Sequence, residues 1–216
     1  MTLRYPILAA LVLFILLLHP AVAAACDAVS PTIDVDILRR PVSYDYSLDM
    51  RRLTSMAGNR HKGATLGITA VDYLTHVRVT VRMTKSIFGS WCAYPTEVHV
   101  RHGFSDNVRV YLARDLVRGS CRYRTTLAHE MQHVAIHERG LSRAKSVIRD
   151  AILQVVDSAM PVKGSTKEEA AKRAETLITD AATRAAKAVI ARTERENAAI
   201  DTDQSYRAMA AACSHR

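Results

Sequence analysis

The chain has 216 residues, 49% of them hydrophobic, with a formal net charge of +9 from 30 Lys and Arg against 21 Asp and Glu. This length and apolar content exclude a disordered chain and suit one domain with a sizeable core. The basic residues are dispersed rather than gathered into a stripe, and aromatics are only 6%, so no nucleic-acid partner is expected, while attraction to anionic envelope polymers is.

Met1 to Pro6 carries one positive residue, Arg4. Ile7 to Leu18 is then an unbroken apolar run, too short to span a bilayer comfortably, followed by His19-Pro20 and the A-x-A signal Ala21-Val22-Ala23. We expect a signal peptide over 1–23, a single domain over 24–216, no transmembrane span after cleavage, and a periplasmic or secreted mature chain. The alternative is a lipoprotein anchored at Cys26, for which Ala23 stands where a larger aliphatic residue is usual. In an oxidising compartment Cys26, Cys92, Cys121 and Cys213 read as two disulfides. The expected pairing is Cys92–Cys121, which would pin the start of a helix to the preceding sheet, leaving Cys26–Cys213.

Thr32 to Leu38 alternates apolar residues and is expected as a strand, with Val42 to Leu48 a second. Met50, Leu53 and Met56 lie at helical spacing within Asp49 to Gly63, which suggests a short helix and a loop. Ala64 to Lys85 is the clearest β region, where Val77, Val79, Val81 and Met83 alternate with His76, Arg78, Thr80, Arg82 and Thr84. Glu97 to Arg101 and Asn107 to Leu112 continue the pattern. His99 should point outward and His102 should lie near a turn, both as solvated surface residues. The fold class is α+β, with a mostly antiparallel sheet over about 30–115 and helices over about 120–216.

From Ser120 the pattern is helical. Leu127-Ala-His-Glu-Met-Gln-His133 contains His129-Glu130-Met131-Gln132-His133, an HExxH arrangement. On a helix, two histidines four apart share one face and can reach one cation, and tetrahedral zinc prefers such nitrogen ligands. Glu130 projects to the same side, close enough to take a proton from water activated by the metal. Ser120 or Thr125 could cap this helix, and Gly140 would end it. Leu141 to Met160 is a second helix, stopped by Pro161. Thr166 to Glu169 opens a third as a capping box, running on as one long helix or as two broken near Asp201.

Catalytic zinc needs a third ligand and an open position. His137 lies about 12 Å along the helix from His129, too far to share its metal, and reads as an exposed or supporting histidine. The apolar line of the last helix passes through Ile178, Ala181, Ala185 and Val189. Projected onward it meets Arg192, Glu196, Ile200 and Asp203. Glu196 is therefore the expected third ligand, with Asp201 or Asp203 as alternatives, and a salt bridge to Arg192 as the competing role for Glu196.

These residues resemble a zincin metallopeptidase. More narrowly, the chain is similar to a bacterial family of predicted secreted zinc-dependent proteases built on a domain of unknown function. The resemblance covers much of the mature chain loosely, through Tyr44 to Met56, the strands after Gly63, and Trp91-Cys92 with the strands that follow. Only the Leu127–His133 core is specific. The resemblance implies a zincin-like fold, His129 and His133 as zinc ligands, Glu130 as the catalytic residue and a peptide substrate. The family has a Tyr-Asp pair followed by Thr and His-Gly near its C-terminus. Here Ile200-Asp201-Thr202 is the nearest match and the His-Gly is missing, which leaves the third ligand open.

The expected function is peptide-bond hydrolysis with one Zn2+ per chain and Glu130 as general base, and Tyr206 or His102 as candidate oxyanion stabilisers. Asn107 to Leu112 is the expected sheet edge on which an extended substrate would lie. The alternative is a catalytically inactive zinc-binding envelope protein whose helical region binds a partner.

Overall fold

Alternation of β-branched and polar residues sets the strands, and the structure, a computed structural model, describes residues 26, 29–58, 63–87 and 89–214. The expected signal peptide over 1–23 lies outside the described residues. The elements are β1 (Thr32–Leu38), β2 (Val42–Asp45), α1 (Met50–Ala57), β3 (Gly67–Ala70), β4 (Tyr73–Lys85), β5 (Trp91–Phe104), β6 (Val108–Leu112), α2 (Cys121–Ala159), β7 (Val162–Gly164), α3 (Lys167–Ile200) and α4 (Asp203–Ala211). The class is α+β.

Two sheets share one lateral order, β1-β5-β4 and β2-β6-β3, with β7 added to β5. Each pair of consecutive strands, β1 with β2, β3 with β4 and β5 with β6, follows one bent path. Backbone bonds hold the bends together, Ser105 N–H donating to Asp72 O at 2.9 Å and Val108 N–H to Pro41 O at 3.1 Å. Most of the pairing is antiparallel, as expected, through β3/β6, β4/β5 and β5/β7, but both sheets are mixed because β1 is parallel to β5 and β2 to β6. The chain returns as β3 and β4 at a distance from β1 and β2, and the next pass, β5 and β6, fills the gap between them. Consequently β6 is central, flanked by β2 and β3, and Asn107 to Leu112 is not the edge expected. That edge is β3, which among the described residues pairs only with β6.

Helix α2 crosses both sheets on one face. Its first half buries Val134 and Leu141 against Phe104, Val108, Val110 and Leu112. Its second half, with α3, covers Ile33, Val35, Val98 and Val100 using Ala144, Ile148, Ile152, Ile178, Ala182, Ala186 and Val189. The alanines of α3 keep the layer thin and let the two helices approach closely. Gly140, expected to end the helix, instead sits inside α2 at the crossing, where an added Cβ would lie 2.3 Å from Thr193 Oγ1. Glycine inside a helix costs about 1 kcal/mol relative to alanine; here close approach requires it. Pro161 follows the end of α2, and α3 ends at Ile200 with Asp201 as its cap.

The disulfides are Cys26–Cys92 and Cys121–Cys213, which corrects the expected Cys92–Cys121 and Cys26–Cys213. The β1/β5 register pairs Thr32 with Glu97, so the chain ahead of β1 is directed back toward the start of β5, where Cys92 lies. Similarly, α4 doubles back along the first turns of α2 and brings Cys213 to Cys121. Two disulfides fit an oxidising compartment, and among the described residues no helix is long and apolar enough to cross a membrane.

Candidate metal centre

Ser120 caps α2, its hydroxyl accepting from Tyr123 N–H at 3.1 Å. Two turns later His129, Glu130 and His133 lie on the helix face turned inward, with 6%, 4% and 7% of their surfaces exposed. The two imidazoles meet edge to face, their Nε2 atoms 3.2 Å apart. Asp201 Oδ1 completes a triangle with them, 3.0 Å from His129 Nε2 and 3.1 Å from His133 Nε2.

Tetrahedral bonds of about 2.0–2.1 Å would set ligand atoms roughly 3.3 Å apart, close to these separations. Two imidazoles and a carboxylate converge here from different parts of the chain, and His129, His133 and Asp201 could hold a metal ion. The acidic group is also kept ionised. Burial alone would raise the Asp201 carboxyl, but bonds from His129, His133 and Tyr206 outweigh it and hold it well below the usual carboxylate range.

Asp201 was one of the alternatives; Glu196, the expected third ligand, is not in the set. Its two oxygens bind Arg143 and Arg192, each at 2.9 Å, and these cations lower its carboxyl. Asp203 lies in the exposed first turn of α4. The projection failed at Val189. There the buried line of α3 steps by four to Thr193 and Asn197, whereas the projection stepped by three to Arg192. Both buried residues are polar, so hydrophobicity alone could not extend the line through them. The i, i+4 spacing of Asn197 and Asp201 was the available signal.

Asn197 orients a ligand. His133 Nδ1 and Asn197 Oδ1 are 2.9 Å apart, Asn197 Nδ2 and His137 Nε2 3.1 Å, and His137 Nδ1 and the Tyr73 hydroxyl 2.8 Å. These bonds close in one tautomer pattern: His133 Nδ1–H donates to the Asn197 carbonyl, and the amide donates to His137. That pattern leaves the His133 Nε2 lone pair free for a cation. His137, expected on the surface or in support, is buried at 5% exposure. Burial first, and the neighbouring His133 charge second, bring its imidazole down to about 4, so it is neutral near pH 7. For His133, burial opposes the cation, but Asp201 and Asn197 outweigh it and raise its value.

Glu130 stays outside the ligating set. Thr69 Oγ1 on β3 donates to its Oε2 at 2.8 Å, while Oε1 faces Gly67, where a Cβ would come within 2.6 Å. Gly67 is the residue that lets the edge strand pass so close. Burial is the largest influence on Glu130 and raises its carboxyl, against the opposing pull of His133, Thr69 and His129.

Tyr206 on α4 donates to Asp201 Oδ1 at 2.8 Å and leans on His129, ring centroids 5.5 Å apart. It is at the site. His102 is not: against expectation it is fully buried in the sheet, bonded to Thr75 and stacked on Tyr73. The β5 alternation turns it inward one residue before Gly103. His99 is exposed, as its alternation requires. Compared with known proteins, the chain matches no family model, no curated protein and no solved structure.

Proposed function

We propose that the protein is a periplasmic or secreted zinc-dependent peptidase of zincin type, with His129, His133 and Asp201 as ligands and Glu130 as general base. The observation that carries this reading is the position of Glu130. It is on the same helical turn as two ligands, outside their set, buried, and held by Thr69 on the sheet edge. Two-histidine, one-carboxylate sets also hold ferrous iron; the buried Glu130 carboxylate beside the ligands favours the hydrolytic reading.

His129, His133 and Asp201 would hold the zinc ion, which would supply Lewis acidity and lower the pKa of water to near 7. An extended peptide pairs with the edge of β3 that no described strand occupies and lies over Glu130. Glu130 accepts a proton from the attacking water and delivers it to the leaving amine, with Thr69 fixing one of its oxygens. The Tyr206 hydroxyl, beside Asp201 and His129, is the donor offered to the developing oxyanion once it releases Asp201.

The test is cleavage of an unfolded protein substrate by the zinc-loaded chain, compared with Glu130→Gln. The substitution should lower turnover about 10^2–10^4-fold with zinc content unchanged. Equal turnover would remove Glu130 from the chemistry. A wild-type chain that holds zinc but cuts nothing would favour the inactive, partner-binding alternative.

A further inference from the structure

Two hollows open on either side of Glu130, and both are bordered by Gly67 and Tyr206. They have similar volumes, about 150 Å3 and 160 Å3, so size does not distinguish what each accepts. Charge does. The hollow beside His133 is walled by Met56, Ala57 and Ile68 and carries Glu194 at its rim. The hollow beside His129 is walled by Leu66, Met209 and Ala210 and carries Arg122.

Neither rim charge is used by the fold. Glu196, on the next face of α3, is gripped by Arg143 and Arg192. Glu194 and Arg122 have no ion pair among the described residues. The chain also runs from one hollow to the other. Ala64 and Leu66 border the Arg122 hollow alone, Ile68 and Thr69 the Glu194 hollow alone, and Thr65 and Gly67 border both, with Gly67 against Glu130. An extended peptide on this edge must therefore cross both, with the scissile bond near Glu130. Successive side chains of an extended strand point to opposite sides, so neighbouring residues can fill the two hollows.

We infer that Glu194 and Arg122 set specificity for a dipolar peptide, with a lysine or arginine side chain in the hollow beside His133 and a carboxylate in the hollow beside His129. The carboxylate could come from an acidic side chain or from a chain terminus. This inference rests on the peptidase reading for the site but not for its readout, because charge-selective binding can be measured without turnover. The apolar walls would take the methylene stem of lysine or arginine and leave its charged head at the rim, as amphipathic side chains prefer.

The experiment uses the full chain, zinc-loaded and with Glu130→Gln to stop cleavage. Fluorescently labelled octapeptides are compared by anisotropy: a central Lys-Glu, the reversed Glu-Lys, a neutral Ala-Ala, and a lysine peptide ending at the second position. The internal-pair peptides are C-terminally amidated. The last is made as free acid and as amide, to separate a side-chain carboxylate from a terminal one. One charge order should bind about tenfold more tightly than its reverse, since each mispairing replaces an attraction of surface strength by a repulsion. Glu194→Lys should abolish the preference for a cation, and Glu194→Lys with Arg122→Glu should invert the preferred order. Equal binding of all peptides, no binding of any, or a preference that both substitutions leave intact would overturn the inference. Charge-ordered binding by a chain that, with Glu130 restored, cuts none of them would instead overturn the peptidase reading alone. Cleavage that ignores charge would do the reverse.

Discussion

Helix α2 delivers His129, Glu130 and His133 from five consecutive residues of an unbroken helix, whereas Asp201 comes from the break between α3 and α4 and Tyr206 from α4 itself. The first group is positioned by helical geometry and by a buried face packed on β6. The second depends on contacts remote in sequence. Asn197 links α3 to His133, Thr202 and Ser205 form a capping box that starts α4, and Cys121–Cys213 ties the end of α4 to the start of α2. This candidate metal site is therefore half rigid and half clamped. The clamped half is where its affinity can be tuned.

The strongest way to break that comparison is through the link between the halves. Asn197→Ala removes the acceptor from His133 Nδ1 and leaves His137 without its donor. Zinc affinity should fall about 10–100-fold, read by competition with a chromogenic chelator, while the helical content stays the same. An unchanged affinity would mean that α2 alone orients His133.

Gly67→Ala sharpens the comparison from the sheet side. Its Cβ would press on the Glu130 carboxylate, the end of a flexible side chain, so the carboxylate should move and the fold persist. Turnover should drop roughly tenfold, in line with displacement of a general base, with zinc content unchanged. Loss of zinc as well would show that β3 supports the ligands and not only Glu130.

The mildest perturbation of the site is Cys121→Ser with Cys213→Ser. Losing this cross-link, which joins residues 92 apart in sequence, should cost about 4–5 kcal/mol of stability in the chain-entropy account, measured by urea unfolding. Zinc affinity should weaken only several-fold, because Asp201 is still capped by its own local bonds. A loss as large as that of Asn197→Ala would make the disulfide the main clamp.

How much of this was legible in the sequence follows the same division. His129, Glu130 and His133 carry their geometry in their spacing, and the strands β1 and β4 carry theirs in their alternation. Asp201 was visible only as one alternative, since Thr193 and Asn197 are buried polar residues that hydrophobic periodicity reads as surface. Glu196 misled for the same reason: it lies on the projected line, but two arginines solvate it at the edge of the helix pair. The cysteine pairing depended on a parallel β1/β5 register and on α4 folding back, and neither leaves a local trace. Gly140 read as a stop because a helix crossing at its Cα can be seen only from the partner, Thr193.

The central claim is that Asp201, not Glu196, completes the metal site. Metal analysis of the purified mature chain, with Asp201→Ala and Glu196→Ala prepared alongside, tests it most directly. The account predicts close to one zinc per chain in the wild type and in Glu196→Ala, and almost none in Asp201→Ala. Full zinc retention by Asp201→Ala, or its loss in Glu196→Ala with the fold intact, would contradict it.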